Sequence, residues 1–266
     1  MKTKSFTVHK QEDSLNINED AVTHEEKLIA VSDGAGGGGV FADNWAKYLL
    51  EKLPKNDPID SFEMLDSWIG DIWEPFYEQY EMQAKGKGGL FLTKFYEEGS
   101  LATLASAWVN EDKVEWMAYG DSVVFCYNKE TDKLEHSFTK LSDFSKPPYL
   151  ISCKNPLVED GFRHGFWKID ENSIVFIASD AVAQFLILLF EVEHEDIFRD
   201  DLRIVVENRQ NGNQMIENIK RLNLSFKDVL SDFKSMDSET KFSNYVYSLE
   251  NKQVLRHDDY SLALMY

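Results

Sequence analysis

The chain has 266 residues, with 28 bases against 47 acids, a formal charge of −19, and 43% of it is hydrophobic. So much core-forming material excludes a chain that stays disordered, and the excess of carboxylates repels a phosphate backbone, which argues against a general nucleic-acid binder. Two cysteines, Cys126 and Cys153, make neither a disulfide framework nor a four-cysteine zinc site, so a reducing, cytoplasmic compartment is expected.

In chain order, the N-terminal segment lacks the apolar stretch that a secretory signal needs. Residues 28–32, LIAVS, form a short apolar run that reads as a buried strand, and Asp33 and a glycine loop, Gly34 to Gly39, follow it. Phe41, Trp45, Tyr48, Leu49 and Leu53 then recur at helical spacing until Pro54 stops the pattern. A second helix is predicted to open at Asp60, with Glu63 completing a capping box, and to run with a break at Pro75 toward Met82. Glycines 86, 88 and 89 mark a flexible break.

From Gly99 the pattern changes to ATLASAWV, VEWMAYG and SVVFCYN, short runs rich in β-forming residues, and residues 110–113 supply a hairpin turn between the first two. Residues 133–170 are expected to be an ordinary surface connection. SIVFIAS and YSLALM add strands near residues 173 and 260, with a mainly helical excursion over about 181–250 between them. Its most apolar part, AVAQFLILLF, is about half the ~20 residues that a membrane-spanning helix requires, so no membrane association is expected. No linker or repeat divides the chain, and one domain over 1–266 is expected. Grouped strands with long helical excursions predict an α+β fold, an antiparallel core covered by helices.

Four acidic sites share one context, the edge of an apolar run: Glu19 and Asp20, Asp33, Asp180, and Asp258 with Asp259. Strand ends from distant positions converge at one rim of a layered sheet, and converging carboxylates raise one another's pKa unless a cation neutralises them. Hard oxygen donors suit Mg²⁺ or Mn²⁺, whereas zinc would bring His or Cys. Taken singly, each acid also reads as a turn or solvated loop residue. The glycine loop has the surface form of a dinucleotide fingerprint, but no second strand ending in an acid follows about twenty residues on.

Taken together and in order, NEDA at 18–21, VSDGAGG at 31–37, GSLAT at 99–103, AYGDS at 118–122, IASD at 177–180 and DDYSLAL at 258–264 resemble the metal-dependent protein phosphatase family of the 2C type, as a divergent, bacterial-like member. The resemblance implies a four-layer α-β-β-α sandwich of two antiparallel sheets flanked by helices. It further implies a centre of two Mg²⁺ or Mn²⁺ ions, with Asp33 bridging both, Asp180 and Asp258 holding one, and Glu19 and the Gly34 carbonyl holding the other. Asp20 would orient the water that attacks phosphoserine or phosphothreonine in a protein, and no nucleophilic Ser or Cys is needed. A phosphorylated protein substrate is the implied partner; a partner kinase leaves no trace in the sequence.

The departures from the family pattern are specific. Leu15 stands where relatives carry an Arg that grips the phosphate, Ala35 where animal relatives have His, Val123 at the GDSR arginine, Ala181 at a glycine and Asp259 at an asparagine. Asp121 is a candidate ligand of a third metal, or a hairpin residue, and its expected partner carboxylate is replaced by Gln184. Arg163 is a candidate substitute for the lost phosphate clamp. Two other functions stay open: a catalytically weak or inactive regulatory module that binds a phosphoprotein, and a phosphatase for a small molecule.

Overall fold

Every residue of Leu28–Ser32 is buried, and so is every residue of Ser173–Ala178 and of Tyr260–Met265. A strand buried on both faces must be covered on both, because successive side chains point to opposite sides. In the computed structural model, which describes residues 1–11, 17–208 and 212–266, that requirement is met by four layers.

The elements in order are β1 (Thr3–Val8), β2 (Ala21–His24), β3 (Leu28–Ser32), α1 (Ala42–Lys52), α2 (Phe62–Lys87), α3 (Gly89–Glu98), β4 (Leu101–Ala102), β5 (Leu104–Asn110), β6 (Lys113–Tyr119) and β7 (Val123–Asn128). There follow β8 (Lys133–His136), β9 (Ile151–Ser152), β10 (Phe162–Lys168), β11 (Ser173–Ala178), α4 (Asp180–Glu193), α5 (Glu195–Asn208), α6 (Gly212–Leu222), α7 (Phe226–Ser235), α8 (Glu239–Asn251) and β12 (Tyr260–Met265). One antiparallel sheet has the order β1-β12-β11-β7-β8, the other β10-β6-β5-β3-β2, and β4 pairs with β9.

Alternation along the strands assigns the layers. Ile29 and Val31 of β3 meet Val175 and Ile177 of β11 and Ala263 of β12 in the core between the sheets. Leu28 and Ala30 face the other way, onto Trp45 and Leu49 of α1 and Leu65 and Ile69 of α2. Ile174 and Phe176 pack outward against Phe185 and Leu189 of α4. This is the α-β-β-α sandwich that the family resemblance implies, and it has the antiparallel core covered by helices that the grouping of strands and helices predicts.

α4 is buried without interruption from Ala181 to Glu191. A helix apolar all round needs cover all round, and α5 to α8 supply it through Leu202, Ile219, Val229 and Val246. Among the described residues no helix is long and apolar enough to cross a membrane.

Several boundaries differ from expectation. Ser61, not Asp60, caps α2, its hydroxyl accepting the Met64 N–H at 3.3 Å. α2 continues through Pro75 without a break and stops at Gly88, since an interior proline removes one backbone bond and the remaining ladder carries the helix. Gly88 and Gly89, at φ +62 and +55, hand the chain directly to α3, which the sequence pattern does not announce. The segment 133–170 is not a simple surface connection, because it contributes β8, β9 and β10. The hairpin at 110–113 is as expected: Asn110 pairs with Lys113 and Glu111 takes φ +55 in the two-residue turn.

Candidate active site

The sheets bring the ends of β2, β3, β11 and β12 to one rim. Glu19 and Asp20 lead into β2, Asp33 ends β3, Asp180 opens α4 directly after β11, and Asp258 precedes β12. Glu19, Asp33, Gly34, Asp121, Asp180 and Asp258 line one open cleft of about 390 Å³, together with Lys10, Lys146 and Arg256. Asp20 lies behind them, 2% exposed. The structure thus brings together every acid expected at the centre.

The local sequence explains how Asp33 is held. Thr103, from the GSLAT motif, donates its N–H to the Asp33 carbonyl at 2.8 Å and accepts the Asp33 N–H on its hydroxyl at 3.1 Å. That hydroxyl also meets Ser122 of the AYGDS motif at 2.7 Å, so one threonine ties the turn bearing Asp121 to the strand end bearing Asp33. Gly120 between them has φ +97, and a side chain there would strike Thr103 and the Tyr149 carbonyl at 2.7 and 2.8 Å.

The glycine loop serves Glu19. A Cβ on Gly36 would fall 1.7 Å from the Glu19 Oε1, and one on Gly34 would fall 2.5 Å from the Glu19 carbonyl oxygen. The Gly36 backbone N–H hydrogen-bonds to the Glu19 carboxylate, and also donates to the Gly34 carbonyl at 3.2 Å. From α3, Lys94 reaches the Gly36 and Gly37 carbonyls, each at 3.5 Å.

Burial and mutual repulsion govern the charges. Asp33 is pushed well above the ordinary carboxylate range by burial and then by Asp20, Asp180, Asp121 and Asp258. Asp20 is pushed up to about 8, by burial first and Asp259 second, although the Ser261 and Ser179 hydroxyls bond to its charged form. Asp121 rises to about 7 through burial and Asp180, opposed by Arg256 and Arg163. Burial also raises Asp180, against the pull of Arg256, and Glu19, against the pull of Lys10.

These groups fit a hard divalent cation in their chemistry. All are oxygen donors, and one buried oxygen, Asp20 Oδ2, has no hydrogen-bond partner. Among the described residues, however, no three His, Cys, Asp or Glu side chains are grouped closely enough to form a ready cage. Asp180 and Asp258 already share a cation, because the Arg256 guanidinium donates to both carboxylates, to Asp258 at 3.0 Å.

The remaining expectations fall out as follows. Leu15 lies outside the described residues. Arg163 on β10 donates to the Gly120 carbonyl and stands over the Phe138 ring at 5.2 Å; it supports the turn of Asp121 and does not line the cleft. Asp121 lines the cleft, and Gln184 lines a neighbouring cavity of about 720 Å³. Arg256, Lys10 and Lys146 are not among the expected site residues, and Asp259 is expected only as one of the rim acids. Asp259 had a legible signal, its place in the DDYS motif; Arg256 and the lysines had none.

Two antiparallel sheets face to face with helices on both outer sides make the fold of bacterial serine/threonine phosphatases of the 2C type. The chain is similar over 99% of its length to three solved structures. They are the serine/threonine phosphatase Stp1 from Staphylococcus aureus (14% identity, 94% of that chain, TM-score 0.55), the catalytic domain of the serine threonine protein phosphatase PstP in complex with 2 manganese ions (13%, 96%, 0.55), and PppA, a key regulatory component of T6SS in Pseudomonas aeruginosa (14%, 96%, 0.52). At these identities the likeness is one of fold. No protein-family model matches the chain, and no curated protein matches it by sequence.

Proposed function

We propose that this protein is a Mg²⁺- or Mn²⁺-dependent phosphohydrolase acting on phosphoserine and phosphothreonine in proteins. The observation that carries this reading is the convergence of Asp33, Asp121, Asp180 and buried Asp20 at one rim, with each carboxyl raised by burial and by the others. Such a cluster is relieved by cations held between the oxygens. Asp33 would bridge two ions, Asp180 and Asp258 would hold one, and Glu19 and the Gly34 carbonyl the other.

When bound, such ions supply a water of lowered pKa and neutralise phosphoryl oxygens. The chain does the rest. Asp20, hydrogen-bonded by the Ser179 and Ser261 hydroxyls, keeps its unpartnered Oδ2 to orient the attacking water in line with the phosphorus. Attack by water dispenses with a covalent intermediate, in keeping with two cysteines that are both buried. On a chain of charge −19, an anionic phosphoprotein made by a kinase needs local cations to enter, and Lys10, Lys146 and Arg256 line the cleft. A cytoplasmic setting accompanies this reading.

A second reading, a regulatory phosphoprotein-binding module of weak or no activity, is favoured by one observation: Arg256 already pairs two of the metal-site acids. Hydrolysis of p-nitrophenyl phosphate with and without Mn²⁺, with an Asp33→Asn control, decides between them. Metal-dependent turnover that the substitution abolishes supports the phosphatase. No turnover by the metal-loaded wild-type protein supports the module.

A further inference from the structure

Positive charge is unevenly distributed along the acidic rim. On one side Asp20 keeps a buried oxygen without a partner and Asp33 is surrounded by four other acids. On the other side Asp180 and Asp258 are joined by one guanidinium, that of Arg256, two residues before Asp258. The other cations at the cleft act away from Asp180 and Asp258: Lys146 pairs with Asp143 at 2.7 Å, and Lys10 stands 3.9 Å from Asp259 and pulls on Glu19.

We propose that Arg256 is a resident cation of this rim, occupying the position between Asp180 and Asp258 and competing with a divalent ion for those two carboxylates. The inference rests on reading the rim as a metal centre. A guanidinium cannot lose its proton in a protein, so it yields the oxygens only by moving away. A dication bound to the same oxygens would stand within a few ångströms of it, where like charges repel strongly in a partly desolvated site. Arg256 has somewhere to go: it also lines the neighbouring cavity of about 720 Å³, which Gln184 and Leu255 line as well. In place, it neutralises Asp180 and Asp258, while Asp20 and Asp33 stay raised by the acids around them.

The test is calorimetric titration of the full chain with MnCl₂, on the wild-type protein and the Arg256→Gln and Arg256→Lys variants. Circular dichroism in metal-free buffer confirms that each is folded. Glutamine removes the charge, so this variant should take up one further equivalent of Mn²⁺, or bind at least about tenfold more tightly. Lysine keeps the charge but cannot fork between two carboxylates, so it should fall between wild type and Gln; if the Gln variant does not fold, the Lys variant carries the test. Variants that bind no more Mn²⁺ and no more tightly than wild type, including no uptake by any of the proteins, would overturn the proposal. Asp33→Asn in the same titration tests the centre itself: uptake that survives this substitution defeats the metal-centre reading, whatever Arg256 does.

Discussion

The carboxylate of Asp259 holds the backbone of Glu19: its Oδ2 accepts the Glu19 N–H at 2.7 Å, and its Oδ1 accepts the Lys10 N–H at 2.8 Å. Two donors need two acceptor oxygens, which an asparagine amide does not have. Asp259→Asn would turn an NH₂ toward one of the N–H groups and should cost about 1–3 kcal/mol. Urea unfolding of the variant, read as a change in midpoint, checks this; an unchanged midpoint would mean that the clamp contributes nothing.

Two neighbouring glycines should respond differently to alanine. At Gly34 the new Cβ meets backbone, the Glu19 carbonyl at 2.5 Å and Ala42 at 2.9 Å, and a loss of about 1–3 kcal/mol is expected. At Gly36 it meets only the end of the Glu19 side chain, which can swing aside. Gly36→Ala should therefore melt close to wild type while binding Mn²⁺ about tenfold more weakly. Melting curves and metal titrations on both variants check the contrast.

Stability should fall as pH rises in metal-free buffer. Asp20 and Asp121 have an ordinary value of 3.8 and are raised in the fold to about 8 and about 7. A raised acid binds its proton more tightly in the folded state, so its contribution is complete below 3.8 and is lost as pH climbs through the folded value. Tm should drop between about pH 5 and pH 8, and Mn²⁺ should reverse the drop. A Tm that rises over this interval without metal contradicts the burial of these groups.

Asp33→Asn should separate stability from activity. The amide removes a buried acid that four neighbours repel, so the metal-free variant at pH 8 should be more stable than wild type, while turnover of p-nitrophenyl phosphate falls by about a thousandfold or more. Loss of both together would mean that the substitution damages the fold.

Arg163→Ala should leave KM for p-nitrophenyl phosphate unchanged, because Arg163 is spent on Gly120 and Phe138 and does not line the cleft. Its loss should cost about 1–2 kcal/mol through the bond and ring contact removed. A raised KM at unchanged kcat would return Arg163 to the phosphate.

What the sequence displayed about this site is local. Asp33 and Asp180 each follow an apolar run that has to be a buried strand, so their place at a strand end could be read directly. Asp258 stands two residues ahead of such a run. The supports could not be read in this way: Thr103 acts on Asp33 across 70 residues and Asp259 on Glu19 across 240, and no short window holds both partners. β1 is only partly buried apart from Phe6, so its alternation is faint, and its pairing with β12 joins opposite ends of the chain. α3 begins at two glycines that signal a stop. Arg256 sits in RHDD, which has the composition of a turn, and only the fold sets it between two acids.

β12 lies between β1 and β11, and β1 has no other strand partner among the described residues. During synthesis, Glu19, Asp20 and Asp33 leave the ribosome long before the last strand of the facing sheet. Until Tyr260–Met265 insert, Asp258, Asp259 and Arg256 have not been delivered to the rim, and the Glu19 backbone lacks its Asp259 acceptor. Asp258 and Asp259 therefore join the other acids of the rim in a late event of folding, driven by a strand buried at all of its positions. A nascent chain stalled before β12 would carry most of its hydrophobic framework and no assembled centre.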